Sequence, residues 1–101
     1  MAILAIFTGT GITKQMYEDL RQDVRWEQDK PSGAIFHVAS TDISGDVHVA
    51  DVWETQEQLN DFVTKRLMPA MQKRNIPAPK VETFLVNNIN AFPGIDSFKL
   101  K

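Results

Sequence analysis

The fold class predicted by this sequence is an α+β domain with the element order β-α-β-β-α-β. Two stretches with apolar residues at helical spacing, 14–26 and 56–74, each follow a threonine suited to capping. Short apolar segments of strand length lie before, between and after them. A three-residue turn ending in Gly45 joins two of those segments as a hairpin.

The first strand is expected over Ala2–Thr8, apolar on both parities as in a strand covered on both faces. Gly9-Thr10-Gly11 turns the chain, and Thr13 caps a helix over Lys14–Trp26 whose stripe is Met16, Tyr17, Leu20 and Val24. Glu27–Gly33 is a polar loop, followed by strands over Ala34–Thr41 and Asp46–Trp53. Thr55 with Gln58 forms a capping box for the second helix, whose stripe runs through Leu59, Phe62, Val63, Leu67, Ala70 and Met71. Pro69 falls inside that stripe, which predicts a kink, or a break with a short second helix to Arg74. A last strand is expected over Lys80–Asn88, and residues 89–101 form a tail apolar enough to pack on this chain or a partner. This order is the ferredoxin-like pattern, an antiparallel sheet with helices on one face. Apolar residues on both parities of three strands leave a second sheet face to bury, and a second copy is the simplest cover.

The 101 residues suit one domain over 1–101, and 43% apolar with 24% charged residues argues against disorder. A net charge of -2 offers no attraction to nucleic acid or an anionic membrane, and the pairs Lys65-Arg66 and Lys73-Arg74 are read as solvated. There are no cysteines, which excludes disulfides, thiolate metal sites and a cysteine nucleophile. The apolar start lacks a basic leader region and no run reaches membrane-spanning length, so a cytoplasmic location is expected.

If Ile43-Ser44-Gly45 is the loop, pairing outward sets Ala39 against Val49, His37 against Asp51 and Ile35 against Trp53. These residues share one face, and Phe36, Val38, Ala50 and Val52 share the other. The second set is the cleaner apolar surface and is expected beneath the helices, with His37 and Asp51 facing the dimer interior. A carboxylate beside an imidazole orients it and supports its protonated form. His37 and Asp51 are therefore candidate catalytic residues for proton transfer, with Trp53, Ile35, Val49 and Tyr17 as candidate substrate-binding walls. The competing reading is a buried polar pair that satisfies itself and sets register. His37 and His48 point to opposite faces, so no metal site is expected.

The hairpin Gly33-Ala-Ile-Phe-His37 and Val47-His-Val-Ala-Asp-Val-Trp-Glu54 resembles the central hairpin of small dimeric α/β-barrel proteins. Phe62 to Ala70, with Arg66-Leu67-Met68-Pro69, is similar to the helix that follows it in uncharacterised members. Over roughly Ala2 to Asn90 the chain resembles the antibiotic biosynthesis monooxygenase-like group. That resemblance implies a ferredoxin-like subunit whose sheets form a dimeric α/β barrel, with a ligand cavity on each sheet. It implies activities such as cofactor-independent oxygenation of aromatics, haem degradation, or isomerisation and dehydration. Haem-degrading members use a histidine on the second helix, and Gln56–Arg74 has none. Oxygenase members use Asn, Trp and Tyr around the substrate. Trp26, Trp53, Tyr17 and Asn87/Asn88 are of suitable type, without a position-by-position match.

Three classes of function stay open from sequence. One is an enzyme acting without cofactor on a small apolar or aromatic molecule. Another is a binding or structural module built on the same homodimer. The third is a subunit of a larger complex that uses the apolar tail.

Overall fold

The computed structural model describes residues 1–100, so Lys101, at the end of the expected tail, lies outside the described residues. Strands β1 (Ile3–Gly9), β2 (Ala34–Thr41), β3 (Val47–Trp53) and β4 (Lys80–Leu85) form one sheet in the order β2-β3-β1-β4. Every neighbouring pair is antiparallel. Helix α1 (Lys14–Val24) links β1 to β2, and a helical run links β3 to β4. This is the ferredoxin-like arrangement the element order predicts.

Local chemistry explains the boundaries. The Thr13 hydroxyl accepts the Met16 amide at 3.2 Å and starts α1. Arg25, in the left-handed region at φ 59°, ends it, earlier than the expected Trp26. Thr55 caps α2 (Gln56–Phe62) by accepting the Gln58 amide at 3.1 Å. The reciprocal half of the capping box is absent, because the Gln58 side chain reaches the Thr55 hydroxyl and Ser32 instead.

Pro69 is accommodated by neither of the expected routes alone. Val63–Leu67 widens into a π-helical segment, with the Met68 amide bonding to Val63 five residues back, before α3 (Met68–Lys73) resumes. The wider turn takes up the register that the missing proline N–H would otherwise leave broken.

The hairpin register is largely as expected, with His37 opposite Asp51, Ala39 opposite Val49 and Thr41 opposite Val47. Gly45 supplies the left-handed turn residue at φ 91°. One position departs from the expectation. The register shifts between Ala34 and Phe36, so Ala34 and not Ile35 faces Trp53. Ile35 is the extra residue of a bulge.

The face assignment is reversed. Asp51, Val49 and Trp53 pair across β1 with Ala5, Phe7 and Ile3, all buried, and this is the face beneath the helices. Leu20, Val24, Leu59, Phe62 and Met71 close on it. Phe36, Val38 and Phe84 lie on the other face and are 37%, 45% and 51% exposed. The polar pair tolerates the helix side because partners outside the hairpin complete its hydrogen bonding. No helix among the described residues is long and apolar enough to cross a membrane.

Strand β4 stops at Leu85, short of the expected Asn88. The tail forms a 3-10 turn over Pro93–Phe98, with Phe92 and Phe98 exposed.

Candidate functional site

A cavity of about 300 Å³ lies between the sheet and the helices. Its walls are mostly apolar: Phe7 from β1, Leu20 from α1, Val49 from β3, and Phe62 and Met71 from the second helical run. The polar groups on it converge from three elements. β2 presents His37, β3 presents Asp51, and α1 presents Tyr17.

These three are joined in a chain. The Tyr17 hydroxyl lies 2.7 Å from His37 Nε2, and His37 Nδ1 lies 2.6 Å from Asp51 Oδ1. Trp53 donates its indole N–H to the other oxygen, Asp51 Oδ2, at 3.3 Å. A carboxylate only accepts, so Nδ1 carries the proton. In the neutral imidazole Nε2 is then the acceptor, and Tyr17 donates to it. Asp51 is 5% exposed, yet both of its oxygens have donors. That satisfies the condition under which a buried carboxylate is tolerated.

Tyr17 is held protonated well above the ordinary tyrosine range. Burial is the main cause, reinforced by the negative charges of Glu27, Glu18 and Asp51 and opposed by Arg21. The phenol is thus a neutral donor across the physiological range. Tyr17 and His37 rings are nearly parallel, at 8° and 6.2 Å between centroids.

The residues proposed for catalysis and substrate contact meet here: His37, Asp51, Trp53, Ile35, Val49 and Tyr17 line one cavity. The hairpin residues among them line it inside the subunit, beneath the helices, and not on the outer face where alternation alone put them. Ile35 reaches it from the bulge and stays half exposed. Asn87 and Asn88 do not join them. They border a separate hollow on the outer face, with Leu4, Val52 and Ile95. The Asn member of an Asn-Trp-Tyr set is therefore not supplied by this pair.

Two aromatic residues of the cavity wall were read from helical spacing as core packing, though Trp26 was also of a type the family resemblance implies near a substrate. Phe62 read as one of a helical stripe. Trp26 read as the end of a helix, but α1 stops before it, and the left-handed Arg25 turns Trp26 inward to 4.6 Å from the His37 ring. Arg66 was also misread as solvated. Its guanidinium donates to the carbonyls of Val24 and Asp29 at 2.7 and 2.8 Å, tying the loop beside the cavity to the second helical run. An arginine within three residues of a helix stripe looks the same in sequence whether it meets water or a neighbouring helix end. His37 and His48 do face opposite ways, and His48 instead pairs with Asp42 at 2.6 Å at the hairpin tip.

No protein-family model matches the chain, and no curated protein matches it. Solved structures do match in fold. A protein from Chloroflexus aurantiacus bearing the name antibiotic biosynthesis monooxygenase superposes with a TM-score of 0.64 at 12% identity, over 90% of this chain and 98% of that one. SnoaB, a cofactor-independent oxygenase from Streptomyces nogalater, superposes at 0.61 and 11% identity, over 87% and 93% of the two chains. A protein of unknown function from Nitrosomonas europaea gives 0.60 at 13% identity, over 90% and 94%. The chain thus has the ferredoxin-like fold of the antibiotic biosynthesis monooxygenase-like proteins, in agreement with the resemblance seen in its central hairpin.

Proposed function

We propose that the cavity binds a small apolar or aromatic molecule and that the Tyr17–His37–Asp51 chain moves a proton from it. The observation that carries this reading is a hydrogen-bonded acid–base chain on the wall of an apolar cavity. A ligand O–H or acidic C–H set against the Tyr17 oxygen gives up its proton there as the phenolic proton passes to His37 Nε2. The products are a ligand anion and an imidazolium. Asp51 stays a carboxylate and stabilises the new positive charge through Nδ1–H. Asp51 is a positioning residue in this scheme, and Trp53 fixes its second oxygen.

A ligand with an acidic methylene between aromatic or carbonyl groups would form a carbanion able to reduce dioxygen. One oxygen atom stays as a carbonyl at that carbon, and the other leaves as water. The electrons come from the ligand itself. This would be the kind of reaction named for SnoaB, a cofactor-independent oxygenase, and the fold shared with it supports the reading.

The test is an NMR titration of His37 against an aromatic fragment panel, with His37→Gln assigning the signal. Fragments that shift the ring signals identify ligands for a turnover and oxygen-uptake screen. Loss of His37 should then cost about 10²–10⁴-fold in rate. A ring unmoved by every fragment, or turnover unchanged in His37→Ala, would overturn the catalytic assignment.

A second reading is favoured by one feature: both ring nitrogens of His37 already have protein partners. In it the chain is a structural tie between α1 and the hairpin, in a binding module. In either reading the half-exposed outer face, with Phe36, Val38 and Phe84, pairs with a second copy.

A further inference from the structure

We propose that Lys30 is an anion-recognising group at the mouth of this cavity, so that the molecule bound is an apolar acid, ionised at neutral pH, with its carboxylate at the rim and its apolar body inside. This inference rests on the reading that the cavity takes a small ligand. Of the residues lining the cavity, only Lys30, Ile35 and Phe36 are exposed. All three lie at or just before the start of β2, an edge strand of the sheet, so the cavity opens there. Phe36 belongs to the outer face, which leaves Lys30 and the bulged Ile35 at the rim.

Lys30 and Asp51 are the only Lys, Arg, Asp or Glu residues in the lining. Asp51 is buried and both of its oxygens already accept hydrogen bonds, so an anion brought beside it would meet like charge. Lys30 offers the opposite. The acids nearest to it in its loop are turned to other cations: Glu27 pairs with Arg21, and Asp29 lies 3.9 Å from Arg66. Lys30 itself enters no ion pair among the described residues. Its ammonium is therefore a cation without a fixed counter-charge beside an apolar opening. Water solvates it there, so leaving it unpaired costs little, while the low-dielectric walls strengthen its attraction for an anion at the mouth. An apolar acid suits both parts of the site. Its hydrocarbon body covers walls such as Leu20, Phe62 and Met71, and its charge stays in water near Lys30. The two charges thus orient the molecule, with the anionic end at Lys30 and away from Asp51.

The experiment uses two probes of nearly one shape, 2-naphthoate and 2-naphthamide, which differ in charge. Each is titrated by calorimetry into wild type, Lys30→Met and Lys30→Glu, and the His37 ring signals report entry into the cavity. Wild type should bind the naphthoate more tightly than the amide at low salt. Lys30→Met, which keeps an unbranched stem, should reduce that preference roughly three- to tenfold, as one partly screened ion pair requires, and leave the amide affinity nearly unchanged. Lys30→Glu should favour the amide. The wild-type preference should also shrink between about 0.01 M and about 1 M salt, as the screening length falls from roughly 30 to 3 Å. Equal affinity for both probes in wild type, or a preference that survives in Lys30→Met, would overturn the role of Lys30 and leave the cavity reading standing. A naphthoate that binds without moving the His37 signals binds elsewhere, and that too would overturn it. If neither probe binds, the inference falls together with the cavity reading.

Discussion

Asp51→Asn is the perturbation that interrogates the acid–base chain most directly, because it changes two hydrogen-bond roles while keeping the side chain's shape. In the native chain Asp51 accepts from His37 Nδ1 at 2.6 Å and from Trp53 at 3.3 Å. The asparagine amide has one accepting oxygen and one donating nitrogen. If the oxygen faces His37, the amide nitrogen meets the Trp53 N–H and one buried donor is orphaned. The alternative is for the oxygen to face Trp53 and the nitrogen to donate to His37 Nδ1. His37 must then carry its proton on Nε2 and donate to Tyr17, which reverses the direction of the whole chain. The reversed chain makes every contact from Trp53 to Tyr17 a donor–acceptor pair and leaves only the Tyr17 hydroxyl hydrogen to turn toward the cavity, whereas the first arrangement sets two donors against each other, so the variant should adopt the reversed chain. The cost is the exchange of a charge-assisted hydrogen bond for a neutral one, about 1–2 kcal/mol. For a domain of this size that lowers Tm by roughly 5–15 °C. Long-range ¹H–¹⁵N imidazole spectra would show the protonated nitrogen of His37 moving from Nδ1 to Nε2, with thermal melts by circular dichroism giving the stability. A variant that keeps the Nδ1–H tautomer, or that melts with the wild type, would refute the directional chain.

The remaining expectations concern the same face, a turn beside it, and the face opposite. Tyr17 is the only tyrosine, so tyrosinate absorbance reports it alone. The signal should appear only well above the ordinary value of 10.0 in the folded protein and return to it in denaturant. Because the folded-state value is raised, its contribution to stability is fully present below about pH 10 and is lost as pH rises through the folded value. A normal titration in the folded state would contradict the burial of this hydroxyl. Gly33→Ala should lower the urea-derived stability by about 2 kcal/mol or more, since its φ is +85° and an added Cβ would lie 2.3 Å from Gln58 Oε1. Gly45→Ala, at φ +91° with open space around it, should cost about 1 kcal/mol, and equal losses at the two sites would deny the steric part. Phe84→Glu should convert a light-scattering dimer to monomer with the far-ultraviolet spectrum intact. A wild type that is monomeric at high concentration, or a variant that stays dimeric, would remove the second copy from the outer face.

Much of the site was readable from alternation along the hairpin. His37 and Asp51 pair because side chains in an antiparallel ladder alternate and the Gly45 turn sets their register. Periodicity could not say which face of that ladder meets the helices. The polar face looked unsuited to burial only while Tyr17 and Trp53 were unavailable as partners. One sits on a separate helix and the other occupies the buried end of the same strand. The bulge at Ile35 and the π turn before Pro69 were invisible for a related reason. Each absorbs one residue locally and leaves the surrounding hydrophobic pattern unchanged.

From the sequence by itself came the element order, the threonine caps, the left-handed glycine of the hairpin, and the cross-strand partnership of His37 with Asp51. These rest on near-neighbour sterics and on periods of 2 and 3.6 residues, which a chain expresses locally. Tertiary structure alone decided that this partnership lies under the helices, that Tyr17 completes it, and that Trp26 turns inward past the left-handed Arg25. It also decided that Arg66 closes the end of another helix. Those outcomes depend on groups distant in sequence finding hydrogen bonds for one another, and the cost of an unpaired buried polar group is settled only when the whole fold is assembled.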